Sequence, residues 1–259
     1  MELLSVTERR NMIVEILNEK GKVSVNDLSD RFGVSGVVIR TDLSELEKKG
    51  LLTRIHGGAI TSYKAYYDMS LVQRSNTNAR EKKAIGKTVH DMIKDNDTIM
   101  MNAGTTPLFV MREIMDKKVT IVTNSIALAL EGARNPNFKI ILLGGDVDSN
   151  YQFTHGVSAI KSMEPYTADL LILSVDGIEP TGGISTFYHQ EAEICRYMIK
   201  HARRTIVVAD FSKIGRTAFA EIDNIDKIDM LVTSEGADSN CLSKLKSKDI
   251  DIVIAKDNG

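Results

Sequence analysis

"IMMNAGTT", residues Ile99 to Thr106, is an apolar run that stops abruptly on Gly104-Thr105-Thr106. Its apolar residues do not alternate with polar ones, which is the pattern of a strand buried on both faces of a parallel sheet. A buried strand that opens into a small, hydroxyl-bearing loop is a common anion cradle. Backbone N–H groups at the start of the following helix point at the anion, and the hydroxyls add donors. Many folds build such turns and bind nothing, so the loop is read together with its neighbours.

Six more runs of the same kind follow: "VTIVTN", "KIILLGG", "LLILSVDG", "TIVVAD", "MLVTS" and "DIVIA". Helical segments lie between most of them, at Pro107–Met115, Ser125–Arg134, Gln190–Ala202 and Asn240–Lys246, and one near Glu81–Lys94 precedes the first. Alternating strands and helices predict an α/β fold around a parallel sheet. Ligands of such sheets bind beyond the carboxyl ends of the strands. Those ends carry Gly104-Thr105-Thr106, Asn124-Ser125, Gly144-Gly145, Asp176-Gly177, and Asp210 with Ser212-Lys213. Each alone is ordinary turn chemistry. Five together describe a pocket with phosphate donors, a lysine, and acceptors suited to hydroxyl groups.

Residues 1–60 have a different grammar. Thr7 is a plausible N-cap for a helix whose apolar face is Met12, Ile13, Ile16 and Leu17 and which Gly21 ends. "SVND", Ser24 to Asp27, resembles a capping box opening a short second helix that Gly33 stops. Ser35 caps a third helix running to about Gly50, with Ile39, Leu43 and Leu46 inward and Val37, Arg40, Thr41 and Ser44 outward. "LLTRIHGGAI" then turns at Gly57-Gly58 as a hairpin or wing would. Two helices joined by a tight glycine-containing turn and packed on a third make a helix-turn-helix. Nine Lys/Arg balance nine Asp/Glu here, so net charge does not separate DNA binding from plain helix packing. Placement favours DNA: Arg40, Lys48, Lys49, Arg54 and His56 fall on the third helix and hairpin. Residues 61–80 show no sustained period and read as a linker, leaving 81–259 as the α/β domain.

Composition bounds the rest. The 259 residues, 42% hydrophobic and 26% charged, suit a soluble globular chain of two parts. A net charge of -2 neither supports nor excludes nucleic acid. Cys195 and Cys241 stand far apart, as free thiols of a reducing compartment do. No apolar run approaches the roughly 20 residues of a bilayer span, and the start has no signal-peptide pattern, so a cytoplasmic protein without membrane contact is expected. No spacing suggests a metal site, a cofactor fingerprint or a catalytic triad. Asp176, Glu191 and Glu193 are available as bases and Lys213 as an electrophile, which keeps catalysis open without supporting it. A solvated helix face is the expectation for Glu191 and Glu193, and structural or surface roles for His155 and His189.

The stretch "RRNMIVEILNEKGKVSVNDLSDRFGVSGVVIRTDLSELEKKGLLTRIHGGAI" closely resembles the N-terminal signature of DeoR-type bacterial transcriptional regulators. "REKKAIG", "GTT", "VTNS", "LGG", "DGI" and "ADFSKIG" occur in the order of that family's effector-binding half. The resemblance implies a winged helix-turn-helix followed by an α/β domain related in fold to ribose-5-phosphate isomerase and the CoA transferases. It implies a regulator, most often a repressor, working on double-stranded operator DNA as a homo-oligomer (dimer or tetramer), without catalytic residues, cofactor or metal. The expected effector is a phosphorylated sugar. Ser35, Val37, Arg40, Thr41, Ser44, Arg54 and His56, on the outer face of the third helix and the hairpin, are the expected DNA contacts. Matched by position to the family, Gly104, Thr105, Thr106, Asn124, Ser125, Asp176, Gly177 and Lys213 fall to the effector, and Gly145 at its strand end is expected beside them. Val38-Ile39-Arg40-Thr41 replaces the usual Thr-Ile-Arg-Arg, so operator preference does not carry over, and "SVDGI" leaves the sugar open. A sugar-phosphate isomerase or deaminase with an appended DNA-binding domain is the alternative. A ligand-binding module whose helices bind protein is a third reading.

Overall fold

A computed structural model describes residues 4–62 and 69–256, the side chain of Glu19 excepted. The chain forms two compact units, Met1–Ala79 and Arg80–Gly259.

In the first unit, α1 (Val6–Lys20) starts on a capping box. Ser5 Oγ accepts from Glu8 N at 3.2 Å, and Glu8 Oε2 accepts from Ser5 N at 2.9 Å. The N-cap is therefore Ser5 and not Thr7, because the reciprocal pair needs its glutamate three residues on. β1 (Lys22–Ser24) leads into α2 (Val25–Phe32), whose Asp27 N donates to Ser24 Oγ at 3.0 Å. Among the described residues the return bond of that box is missing, consistent with an aspartate one methylene shorter than glutamate. α3 (Gly36–Lys48) ends two residues short of Gly50. The missing side chain of Gly36 lets it start close to α2, since a Cβ there would lie 3.2 Å from Val25 Cγ1.

β2 (Leu52–Ile55) and β3 (Gly58–Thr61) form the expected hairpin, and β1 pairs with the other side of β3. The sheet is thus three-stranded; a three-residue strand is too short to show a period in sequence. Ile13, Leu17, Leu28, Ile39, Leu43 and Leu52 fill the core beneath it. Asp42 is buried on the inner side of α3, where Arg9 Nε reaches Oδ2 at 2.6 Å and Arg10 Nε reaches Oδ1 at 2.8 Å. One carboxylate therefore fastens α1 to α3 through two guanidinium groups.

The stretch 61–80, expected as a linker, contains α4 (Leu71–Asn76), opened by a Ser70–Gln73 capping box. Thr77 Oγ1 donates to the Asn18 carbonyl at 3.1 Å, which ties this segment to the end of α1. A helix under two turns long leaves no periodicity to read. Residues 63–68 of that stretch lie outside the described residues.

In the second unit, α5 (Ala79–His90), β4 (Thr98–Met101), α6 (Thr105–Glu113), β5 (Val119–Thr123), α7 (Ile126–Gly132) and β6 (Phe138–Leu142) alternate. A β7 (Asp146–Asp148) and β8 (Phe153–His155) hairpin and α8 (Gly156–Met163) follow. Next come β9 (Leu170–Ser174), β10 (Gly177–Glu179), β11 (Gly183–Thr186), α9 (His189–Lys200), β12 (Thr205–Ala209) and β13 (Ala220–Asp223). β14 (Met230–Ser234), α10 (Ser239–Lys246) and β15 (Asp251–Ala255) complete the unit. The seven runs expected as strands make one parallel sheet, in the order β15-β14-β12-β9-β4-β5-β6.

Side chains of each strand enter two apolar layers alternately: Leu171 and Leu173 face one, Leu170 and Ile172 the other. Both faces are covered, which is why these runs read as continuous rather than alternating. The chain grows outward from β4 to β6, returns to β9 beside β4, and grows the opposite way to β15. Strand order reverses between β4 and β9, the place where open α/β sheets hold ligands. The antiparallel trio β10-β11-β13, the β7-β8 hairpin and α8 are additions to the sequence reading.

Candidate functional site

The first surface is the outer face of α3 with the β2-β3 wing. Ser35 is the N-cap of α3 but makes no side-chain capping bond. Val37 is 69% exposed on the outer face of α3. Arg40 and Thr41 are exposed and Ser44 half-buried; Thr41 Oγ1 donates to the Val37 carbonyl at 3.0 Å. Arg54 in β2 and His56 in the turn are exposed, and Arg54 N donates to Glu47 Oε1 at 2.7 Å, holding the wing against the end of α3. Lys48 is paired with Glu45 at 2.7 Å in the open, a contact of little energy.

The second surface is the crevice at the β4/β9 reversal. Asn102, just past β4, is wholly buried. Ser174 N donates to its Oδ1 at 2.8 Å, and its Nδ2 donates to Ser174 O at 3.0 Å. The side chain replaces a backbone rung where the strands part. It lies within Ile99–Thr106 but is not among the expected site residues; its signal in the sequence is a polar residue closing a fully buried run, where burial demands partners.

Gly104 comes next, in extended backbone, and a Cβ there would lie 2.2 Å from Ser174 Oγ. Only glycine lets the loop press onto the end of β9. Thr105, Thr106 and Pro107 make the first turn of α6, which has no side-chain cap. First-turn N–H groups have no intrahelical acceptor, and proline brings none. Both threonines are buried, and neither hydroxyl is taken by a hydrogen bond among the described residues. The result is a compact set of donors beside the reversal.

Two residues past Ser174, Asp176 Oδ2 accepts from Thr186 Oγ1 at 2.9 Å and from Phe187 N at 3.0 Å. Lys213 Nζ, buried at the end of a 3-10 turn after β12, lies 3.7 Å from Asp176 Oδ1. Asp210 is buried beside it. Burial alone would raise its pKa, but the charges of Lys213 and Lys82 and two bonds from Ser212 outweigh that and hold it below the usual carboxylate range. Lys82, on α5, is itself only 1% exposed. The structure thus sets Gly104 against Ser174, two residues before Asp176, and Lys213 Nζ 3.7 Å from the Asp176 carboxylate.

Other expected positions serve the frame. Asn124 Oδ1 accepts from Ala103 N at 3.0 Å and its Nδ2 donates to Thr154 O at 3.1 Å, so its amide aims the loop before Gly104. Ser125 Oγ caps α7, accepting from Leu128 N. Gly177 allows a close pass, since a Cβ would lie 2.4 Å from Arg216 O. Gly145, exposed beyond β6, does the same against His155 O.

Glu191 departs from expectation. It is half-buried, with Oε2 2.7 Å from Thr186 Oγ1 and Oε1 3.5 Å from Asn102 Nδ2, because the first turn of α9 abuts the crevice. Glu193 is exposed. Burial, then the charges of Glu191 and Asp176, push the Cys195 thiol well above its usual range. No three His, Cys, Asp or Glu among the described residues group as a metal site would. No helix among them is long and apolar enough to cross a membrane.

A winged helix-turn-helix, and in the same chain an α/β unit with donors gathered at its switch point, define a DNA-binding regulator with a built-in sensor. Residues 9–64 match the DeoR-like helix-turn-helix domain and residues 77–235 the DeoR C terminal sensor domain. The HTH-type transcriptional regulator YulB of Bacillus subtilis strain 168 is 32% identical, over 95% of this chain and 96% of its own. The HTH-type transcriptional repressor CsqR of Escherichia coli K12 is 31% identical, over 98% and 100%. The glycerol-3-phosphate regulon repressor of the same strain is 31% identical, over 88% and 90%. The chain belongs to the DeoR family of transcriptional regulators. Membership makes it a regulator and not an enzyme. Ribose 5 phosphate isomerase A from Neisseria gonorrhoeae aligns over 54% of this chain and 53% of its own, at 15% identity and a TM-score of 0.38; no function passes across so slight a likeness.

Proposed function

We propose that this chain represses genes of sugar metabolism in the cytoplasm, reading double-stranded operator DNA through residues 1–60 and a phosphorylated sugar through residues 81–259. One observation carries the effector reading: uncapped donors of Gly104-Thr105-Thr106 stand at the strand-order reversal, where Asp176 and Lys213 also converge. The helix N-terminus and Lys213 suit a phosphate, and the carboxylates suit sugar hydroxyls. Asn124, Ser125, Gly145 and Gly177 contribute by shaping the loops. One relative is named a glycerol-3-phosphate regulon repressor, in keeping with this chemistry. A winged helix-turn-helix reading a symmetric or repeated operator works as a homo-oligomer, here a dimer or tetramer.

Thr105→Val keeps the side-chain shape and removes one donor. Calorimetry is expected to show sugar-phosphate affinity falling by about 1.5–3 kcal/mol. Equal affinity of the wild type for a sugar and its phosphate would remove the phosphate from the loop.

The DNA face comprises Ser35, Val37, Arg40, Thr41, Ser44, Arg54 and His56. Arg40→Ala leaves Ile39, Leu43 and Leu46 buried, so the fold persists while operator binding weakens. A base contact costs about 1–3 kcal/mol and relaxes sequence selectivity, whereas a phosphate contact lowers the salt slope by about one. Fluorescence anisotropy on labelled operator at several salt concentrations separates the two. Unchanged affinity and slope would exclude Arg40 from the interface.

A further inference from the structure

A second cleft, of about 240 Å³, lies between the start of α5 and the carboxyl ends of β14 and β15. Arg80, Glu81, Ala84, Ser234, Glu235 and Ala255 line it, and none of these belongs to the crevice. Strand alternation puts Ser234 on the face of Met230 and Val232, which pack in the same apolar layer as Ala84 and Ile85 of α5. Arg80 and Glu81 stand one turn before Ala84 and Ile85, so the helix turns both toward the cleft. Ser234 is only 2% exposed, and its Oγ accepts from Phe211 N at 3.0 Å. A hydroxyl also carries a proton, and this one makes no hydrogen bond among the described residues. It is a buried donor facing the cleft. Arg80 and Glu235 are exposed and Glu81 half-buried, and no ion pair or side-chain hydrogen bond joins any of the three to a described residue. Opposite charges that line one cleft without meeting each other suit a molecule that carries both.

We propose that this cleft is a second ligand site, for a free α-amino acid with a short side chain. The ligand's carboxylate accepts from the Ser234 hydroxyl and from Arg80, and its ammonium group donates to Glu81 and Glu235. At the liquid density of water the volume holds roughly eight non-hydrogen atoms, the size of serine or aspartate. A plain carboxylic acid leaves the two glutamates without a cation, and a plain amine leaves Arg80 and Ser234 without an anion. Inorganic phosphate meets two carboxylates of its own sign. The site stands apart from the reading of the crevice and does not depend on it.

The test is calorimetry on the full chain with glycine, alanine, serine and aspartate, beside lactate, ethylamine and inorganic phosphate. At least one of the four amino acids is expected to bind, about tenfold or more tighter than lactate or ethylamine. Arg80→Gln and Glu81→Gln each take one charge from a position open to solvent, and each is expected to weaken that amino acid about tenfold or more. Arg80→Lys, which keeps the charge, is expected to recover part of the loss. Thr105→Val, which alters the crevice, is expected to bind the amino acid as the wild type does. A wild type that binds none of the four overturns the proposal. So does an affinity retained in Arg80→Gln or in Glu81→Gln, which would put the amino acid elsewhere on the chain. Lactate or phosphate bound as tightly as the amino acid, and lost in Arg80→Gln, would make the cleft a plain anion site and overturn the zwitterion.

Discussion

Asp42→Ala is expected to destabilise the helix-turn-helix unit by about 3–5 kcal/mol, the cost of removing one partner from a buried ion pair. The carboxylate holds Arg9 at 2.6 Å and Arg10 at 2.8 Å, and without it the buried Arg9 guanidinium loses this ion pair across to α3. Folded domains have only about 5–15 kcal/mol in hand, so much of the unit's stability goes and operator affinity with it. Urea denaturation of wild type and variant reads the loss directly. Asp42→Asn keeps the shape and one acceptor and is expected to fall between them. A denaturation midpoint that does not move would mean that α1 and α3 are held by their apolar contacts alone.

Lys213→Ala is expected to leave operator binding intact and to abolish the response to effector. The ligand shifts the DNA equilibrium only by its differential affinity for two conformations, typically about 1–3 kcal/mol of coupling. Taking Lys213 away removes a cation 3.7 Å from Asp176, and one of the two lysines whose charge lowers the pKa of the buried Asp210. Lys213→Arg, which retains the charge, is expected to recover part of the response. Titrating the wild type's preferred sugar phosphate into each protein on labelled operator decides the matter. Equal responses in wild type and Lys213→Ala would take the lysine out of the crevice.

Much of this architecture was legible because burial writes itself into composition. Seven strands covered on both faces must be apolar at successive positions, and all seven stood out as runs. The third helix showed its inner stripe for the same reason, with Ile39, Leu43 and Leu46 inside and Arg40 outside. Elements below about four residues, such as β1 and β10, have no room for a period and emerge only through their pairing. In the crevice, glycines and hydroxyl residues at strand ends were readable as turns. Which of them face a ligand was not: Asn124 and Ser125 spend their polar groups on the chain itself. Conversely Asn102, Lys82 and Glu191 carry side chains common on surfaces. Only the fold reveals that two of them are buried outright and the third is drawn inward by Thr186.

The reversal of strand order has a consequence for the order of assembly. Gly104, Asp176 and Lys213 follow β4, β9 and β12, so the crevice closes only after contacts far apart in sequence have formed. Such non-local pairing is slow, whereas the short-range helix contacts of the first unit are fast. The first unit also leaves the ribosome earlier, and domains generally fold as units in that sequence. During synthesis the helix-turn-helix unit is therefore complete while the crevice still lacks walls, and under the proposed function responsiveness to effector is the last property the nascent chain acquires.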